Sequence, residues 1–237
     1  MANPNQRIIL KLSGEALGEN GKLFNHEAFE AAARMLIRVR QSGAELAMVI
    51  GGGNVWRGRR GPAQRMGAVA ADQMGMLATL QNSLYMRDTL ERLGAEATVM
   101  SAVDVLRFAD AYNATRARQL LKQGQILLLA CGTGNPFFST DSAVVLRALE
   151  LNCDAIYMAK NIDGVYTADP AMDANATLIR DITYEECAAR DLRAMDAGAF
   201  ILLRDNAFPL VRVFALEPAD NMLKVLAGDP MGTVLHP

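Results

Sequence analysis

Short apolar runs alternate along this chain with longer amphipathic stretches, and that rhythm leaves few folds open. Segments 8–12, 45–50, 97–102, 125–131 and 154–160 have the length of strands. Several are apolar at nearly every position, not at every second one, as strands are when helices cover both faces of a parallel sheet. Between them lie stretches with helical spacing. Over 26–42, Phe29, Ala32, Ala33, Leu36 and Ile37 fall on one face, and Gly43 stands where a helix-closing residue is expected. A longer helical pattern covers 66–93 and closes at Gly94. Another covers 114–122 and closes at Gly124, and a fourth starts near Asp141 with Val144, Val145, Leu149 and Leu151. The pattern predicts an α/β fold, an open αβα sandwich around a mainly parallel central sheet.

Beyond Lys160 the rhythm changes. Segments 164–170 and 177–181 suggest a short β excursion around the Asp169-Pro170 turn, and Thr183 with Glu186 forms a capping-box signature that opens a short helix. A helix near 195–206, a strand at 211–215, a helix near 219–227 and a last strand at 233–235 complete the pattern. No repeat or low-complexity linker interrupts it. The expectation is a single domain over 1–237, with an N-terminal lobe of about 1–160 and a C-terminal lobe of about 161–237.

Composition narrows the function. Of 237 residues, 51% are hydrophobic and 21% charged, which supports a full core and excludes disorder. A net charge of −2 provides no broad basic surface for nucleic acid. A membrane span needs about 20 apolar residues, and the longest run without charge, 123–140, is apolar only over 126–130. Neither a membrane nor a targeting segment is expected. Cys131, Cys153 and Cys187 form no CxxC pair, and His26 and His236 are the only histidines, so neither a disulfide framework nor a histidine-rich metal site is expected. The expected setting is cytoplasmic.

Three strands run into glycine loops: Lys11-Leu12-Ser13-Gly14, Gly51-Gly52-Gly53-Asn54 and Gly132-Thr133-Gly134-Asn135-Pro136. Glycine lets the backbone approach a ligand closely, and a helix N-terminus beyond the loop points N–H groups at an anion. In an open α/β sheet such loops gather at the carboxyl ends of the strands. No standard nucleotide fingerprint fits them. Gly21-Lys22 is followed by Leu23, which excludes a P-loop; Trp56 stands where the third glycine of a dinucleotide motif belongs; and no G-x-S-x-G elbow exists.

Lys11 stands in a strand otherwise made of Ile8, Ile9, Leu10 and Leu12. A lysine there is costly unless it reaches an anion at the sheet end or snorkels to solvent. Asp141 fits either a helix N-terminus or a phosphate site, and Asp169-Pro170 fits a turn. Asp72 interrupts an otherwise apolar stretch and calls for a partner. Arg57, just beyond the triple glycine, is suited to bidentate phosphate recognition.

The stretches Lys11-Leu12-Ser13-Gly14-Glu15-Ala16-Leu17, Val49-Ile50-Gly51-Gly52-Gly53-Asn54 with Arg57-Gly58, Asp72 with Met74-Gly75-Met76-Leu77-Ala78-Thr79, the run from Gly132 to Asp141, and Asp163-Gly164-Val165-Tyr166-Thr167-Ala168-Asp169-Pro170 resemble the bacterial uridylate kinases of the amino acid kinase family. The resemblance covers nearly the whole chain, in order. It implies ATP-dependent conversion of UMP to UDP, with Mg²⁺ carried by the ATP phosphates and no direct protein ligand to the metal. By this resemblance Lys11, Leu12, Ser13 and Gly14 meet the ATP phosphates, with Gly53 and Arg57 nearby. Lys160 or Asn161, Tyr166 and Asp169 line the nucleoside end of the ATP site. Gly52, Arg57, Asp72, Thr133, Gly134, Asn135, Pro136, Phe137, Phe138, Ser139 and Thr140 hold UMP. Lys11, Asp141 and Asp196 carry catalysis. The N-terminal lobe is then the acceptor side and the C-terminal lobe the ATP side. The resemblance further implies allosteric GTP at loop 18–24, UTP as a second effector, and a homohexamer for which helix 66–93 offers a surface. Two alternatives stay open: another small kinase of the family with a carboxylate or carbamate acceptor, and a non-catalytic anion-binding or storage protein on the same fold.

Overall fold

A computed structural model describes residues 6–18, 22–57, 65–190, 192 and 195–237. Residues 19–21 of loop 18–24, Gly58 and Ala194 lie outside that set.

The uniformly apolar runs form the middle of one sheet. The strands are β1 (Arg7–Leu12), β2 (Glu45–Ile50), β3 (Ala97–Ser101), β4 (Asp110–Ala111), β5 (Ile126–Ala130), β6 (Ala155–Lys160), β7 (Val165–Tyr166), β8 (Leu178–Ile179), β9 (Asp181–Thr183), β10 (Val211–Ala215) and β11 (Thr233–His236). The described main sheet has the order β4-β3-β5-β2-β1-β6-β10-β11-β9. Its neighbours run parallel except β10 and β11. β6 pairs with β1 on one side and β10 on the other, so the sheet is continuous across Lys160.

Seven α-helices are described: α1 (His26–Gln41), α2 (Ala68–Arg92), α3 (Ala114–Lys122), α4 (Thr140–Leu151), α5 (Tyr184–Ala189), α6 (Ala197–Asp205) and α7 (Asn221–Leu226), with a short 3-10 turn over Gly14–Leu17. Successive side chains of a strand point to opposite faces, and β1 shows the consequence. Ile8, Leu10 and Leu12 enter one core with Phe29 and Leu36 of α1, Leu90 of α2 and Val225 of α7. Ile9 enters the other with Leu120 of α3, Val145 of α4, Tyr184 of α5 and Phe200 of α6. The architecture is the expected open αβα sandwich. None of the described helices is long and apolar enough to cross a membrane.

Local chemistry sets the ends. Asn25 caps α1 by accepting from the N–H groups of Glu27 and Ala28, and Thr183 with Glu186 makes the expected capping box on α5. The excursion after Lys160 divides in two. β7 and β8 pair as a small antiparallel ribbon, whereas Asp181 opens β9, which joins the far edge of the main sheet against β11. β9 and β4 are three and two residues long, too short to give a period of their own. The parallel strands bring Lys11, Gly51, Cys131 and Lys160 to one end of the sheet.

Candidate active site

At that end the first two glycine loops cross. Gly51 N–H donates to the Leu12 carbonyl at 2.9 Å. A Cβ on Gly14 would lie 2.1 Å from the Gly51 carbonyl oxygen, so no larger residue fits there without moving backbone. The Leu12 side chain is fully buried in the core, which leaves only its backbone on the site side. α2 supports the loops from one flank with buried polar side chains. Thr79 Oγ1 accepts from Cys131 N–H at 2.9 Å and donates to the Met76 carbonyl at 2.7 Å. Asn82 Nδ2 donates to the Gly51 carbonyl at 2.7 Å.

Beside the crossing, one carboxylate stands between two ammonium groups. Asp141 Oδ1 is 3.1 Å from Lys11 Nζ, and Asp141 Oδ2 is 3.7 Å from Lys160 Nζ. The first is an ion pair without hydrogen-bond alignment, so this buried oxygen is charge-matched but has no directional partner. The three side chains are 11%, 17% and 20% exposed for Lys11, Asp141 and Lys160. Burial pulls the Lys160 ammonium below its ordinary pKa, and Asp141 opposes that shift. Two ammonium groups thus share one carboxylate in a poorly solvated place, with Asp196 near enough to act on Lys160 as well; such a cluster of charges is suited to meet an anion.

Asp141 lies in the first turn of α4, but the cap is Ser139, whose Oγ accepts from the N–H groups of Asp141 and Ser142. Asp196 opens α6 and makes no cap bond of its own. Its Oδ2 accepts from Ser139 Oγ, and from Ser142 Oγ at 3.2 Å. Asp196 therefore braces the start of α4 from the other side of the cleft.

Two hollows flank this charged centre. The smaller encloses 150 Å³. Among the residues expected to hold UMP, it gathers Gly52, Asp72, Thr133, Asn135, Phe138, Ser139 and Thr140, along with Gly53. Gly134 and Pro136 are not among its lining residues, and Gly134 packs on the Ala102 carbonyl. Asp72 Oδ2 accepts from Phe137 N–H at 2.8 Å, which ties the third loop to α2. That loop is held in unusual backbone: φ is +63° at Cys131 and +71° at Phe137, left-handed values that are costly for non-glycine residues. Trp56, Met76, Thr79 and Cys131 also line the cleft, although the sequence reading gives none of them a site role. Trp56, the only tryptophan and close to the triple glycine, was the available signal. Arg57 is exposed and sits 3.7 Å from Glu15 Oε1, and it is not among the lining residues of this hollow.

The larger hollow encloses 550 Å³ and is lined by Lys160, Tyr166, Asp169, Met172, Arg190 and Leu192 among others. Lys160 faces it, whereas Asn161 is not among the lining residues. Tyr166 O–H donates to Asp163 Oδ1 at 2.8 Å. Asp169 Oδ1 accepts from Ala171 N–H at 2.9 Å, so the turn expected from Asp-Pro is also present. Arg190 carries no sequence signature. Among the described residues, no group of three His, Cys, Asp or Glu side chains is arranged to hold a metal ion.

An open parallel sheet with two lysines, one aspartate and crossed glycine loops between two hollows defines an anion-handling α/β protein of the phosphoryl-transfer type. Comparison with known proteins narrows this class: the chain belongs to the amino acid kinase family, whose sequence model matches residues 6–213. It is 44% identical over 231 residues to a uridylate kinase of Hyphomonas neptunium, covering 97% of this chain and 92% of that protein. Its structure is similar to that of a UMP kinase from Bacillus anthracis, with a TM-score of 0.93, 34% identity and coverage of 99% and 97% of the two chains. A UMP kinase from Ureaplasma parvum gives a TM-score of 0.92 at 30% identity, with 98% and 99% covered.

Proposed function

We propose that this chain transfers the γ-phosphoryl group of ATP to UMP, forming UDP and ADP. The observation that carries the proposal is the Lys11–Asp141–Lys160 centre, two ammonium groups on one carboxylate set between a small cleft and a larger cavity. The 44% identical uridylate kinase and the two solved UMP kinases favour UMP over other acceptors.

An oxygen of the UMP phosphate attacks the γ-phosphorus. The bond from that phosphorus to the β,γ-bridging oxygen breaks, and ADP leaves with the electron pair. The attacking oxygen is already an anion at neutral pH, so the chemistry calls for cations and alignment and not for a general base. Lys11 and Lys160 hold the transferring group and its developing charge. Asp141 fixes both ammonium groups, and Asp196 braces the helix that presents Asp141. Ser13 and Gly14 meet the ATP phosphates with backbone groups, as does Leu12. Asp72 and the loop from Thr133 to Thr140 hold UMP. Tyr166 and Asp169 lie on the nucleoside side of ATP with Lys160, which is favoured over Asn161 by its place in the cavity wall. Arg57 and Glu15 form a loose surface pair that an incoming phosphate can displace.

Mg²⁺ bound to the ATP phosphates would neutralise their oxygens, with no direct protein ligand. The buried Asp141 Oδ1, charge-matched but without an aligned hydrogen bond, fits a place beside that cluster. On this reading 1–160 is the acceptor half and 161–237 the ATP half. GTP at loop 18–24, UTP as a second effector, a cytoplasmic setting and a homohexamer through α2 belong to the same proposal. The outer face of α2, where Val69, Met74 and Leu77 are exposed, supports self-association.

The test is incubation of the purified protein with Mg-ATP and, separately, UMP, CMP, GMP, aspartate and carbamate. Equal amounts of UDP and ADP from UMP are expected. Preferred transfer to aspartate or carbamate, or binding without turnover, would replace this proposal with one of its alternatives.

A further inference from the structure

Asn82 is fully buried on α2, and Asn54 follows the triple glycine. Their side-chain amides face each other. Asn82 Nδ2 donates to Asn54 Oδ1 at 2.7 Å, and Asn54 Nδ2 donates to Asn82 Oδ1 at 2.9 Å. The second N–H of each amide goes to the backbone: Asn82 to the Gly51 carbonyl at 2.7 Å and Asn54 to the Leu23 carbonyl at 2.7 Å. A carbonyl only accepts, so both nitrogens must point outward to the backbone, and each oxygen is left to accept from the partner amide. The pair is closed: every N–H is used, and only an amide at both positions provides two donors and an acceptor at this reach.

The pair sits where the glycine loops cross. The Gly51 carbonyl that Asn82 holds is the oxygen that a Cβ on Gly14 would meet at 2.1 Å. Asn54 Oδ1 would lie 2.7 Å from that same Cβ, and Asn54 Cβ would lie 2.9 Å from a Cβ on Gly18. The amides thus back the loop after β1 at both ends of its turn and hold the first residue of the loop after β2. Three residues before Asn82 on α2, Thr79 holds Cys131 N–H at the start of the third loop.

We infer that Asn54 and Asn82 form an amide clamp that sets the spacing between the ATP-phosphate loop and the acceptor loop, acting as positioning residues. The inference rests on the phosphoryl-transfer reading above. On that reading, most contacts to ATP come from the loop after β1 and the C-terminal half, and most contacts to UMP from Asp72 and the loop from Thr133 to Thr140, so loosening the clamp spoils relative alignment more than either binding site. In-line transfer tolerates this poorly: a misplacement of about 1 Å can cost ~10²-fold in rate.

The experiment measures kcat, both KM values and thermal unfolding for the wild type, Asn54→Ala, Asn82→Ala, the double variant and Ser83→Ala. Ser83 is a control on the same helix, 1% exposed and bonded only to the Thr79 carbonyl within α2. Each clamp variant is expected to lose about 10–100-fold in kcat with less than about 3-fold change in either KM, as loss of alignment without loss of binding predicts. The double variant should match the worse single, because the pair acts as a unit, and Ser83→Ala should keep wild-type kcat. Folded single variants at wild-type kcat would overturn the inference, as would losses that multiply in the double variant or a parallel fall in Ser83→Ala. If Asn82→Ala does not fold, Asn54→Asp decides: it keeps size and acceptor but loses both donors, and wild-type kcat there overturns the clamp. Wild-type turnover of UMP tests the phosphoryl-transfer reading separately, since the clamp is judged only by the ratio of variant to wild type.

Discussion

The two hollows beside Lys11, Asp141 and Lys160 are built on opposite plans. The smaller hollow is formed where strands of the main sheet end, and it is held from several directions. Thr79 on Cys131, Asn82 on Gly51 and Asp72 on Phe137 each bind a loop to one long helix. It encloses 150 Å³, against 550 Å³ for the larger hollow. That cavity leans on the two-residue strands β7 and β8 and on the turn around Asp169, where Met172 is 86% exposed. Backbone fixed from several sides can discriminate between ligands by rejecting those that leave its polar groups unpaired. Backbone with few buried contacts opens readily. On the proposed roles, acceptor choice is therefore set by a rigid wall, and ATP is received by a more yielding one.

The contrast can be broken by experiment. Lys11→Met removes a donor from the centre that both hollows share and leaves Asp141 paired with Lys160. It should cost ~10²–10³ in kcat with the circular dichroism spectrum unchanged. Turnover at the wild-type rate would make Lys11 a snorkelling lysine. Next, Asp72→Asn should raise the KM for UMP ~10-fold or more and leave that for ATP nearly constant, on the scale of one charge-assisted contact. Tyr166→Ala should do the reverse and by less, because its wall yields. An inverted pattern would mean the two hollows have been assigned the wrong way round.

Asp141→Asn and Ser139→Ala separate chemistry from capping at neighbouring positions. The first should lower kcat at least ~10-fold and also lower the melting temperature, because two ammonium groups then face each other without a carboxylate. The second should cost about 1 kcal/mol of stability, the usual value of an N-cap, with the smaller effect on kcat. The smallest effect concerns pH. Burial lowers the Lys160 pKa in the ligand-free protein, so its ammonium is lost as pH rises through a value below the ordinary 10.5. On its proposed role, the alkaline limb of the kcat/KM profile, which reports the free protein, should lie below that of a solvated lysine, and Lys160→Arg should move it upward.

The strands at the sheet centre were legible because burial on both faces leaves a plain apolar run. Lys11 was legible because it breaks such a run. Asn82 was not, since an asparagine inside a helical pattern reads as a solvated position until a partner 28 residues away is brought to it. Asp196 was named through the resemblance alone, because its partner Ser139 is 57 residues away. Ser139 could have been chosen as the cap of α4, but the neighbouring Asp141 fits that pattern equally well. Arg57 was placed on phosphates by its chemistry, whereas its position beside Glu15 depends on how the loop after β2 leaves the sheet.

Everything so far lies at one end of the sheet, and the other end has a consequence of its own. There α1, α2 and α3 each stop at a glycine, Gly43, Gly94 and Gly124, with φ of +98°, +83° and +90°, before the chain re-enters β2, β3 and β5. These turns face away from the chemistry. A Cβ on Gly94 would meet nothing within 4 Å, whereas one on Gly124 would strike Arg40 Nη2 at 2.3 Å. For protein engineering the three turns are thus unequal. The Gly94 turn is the natural port for a fluorescent reporter, an affinity handle or new chain termini, and the Gly124 turn is the one to leave intact.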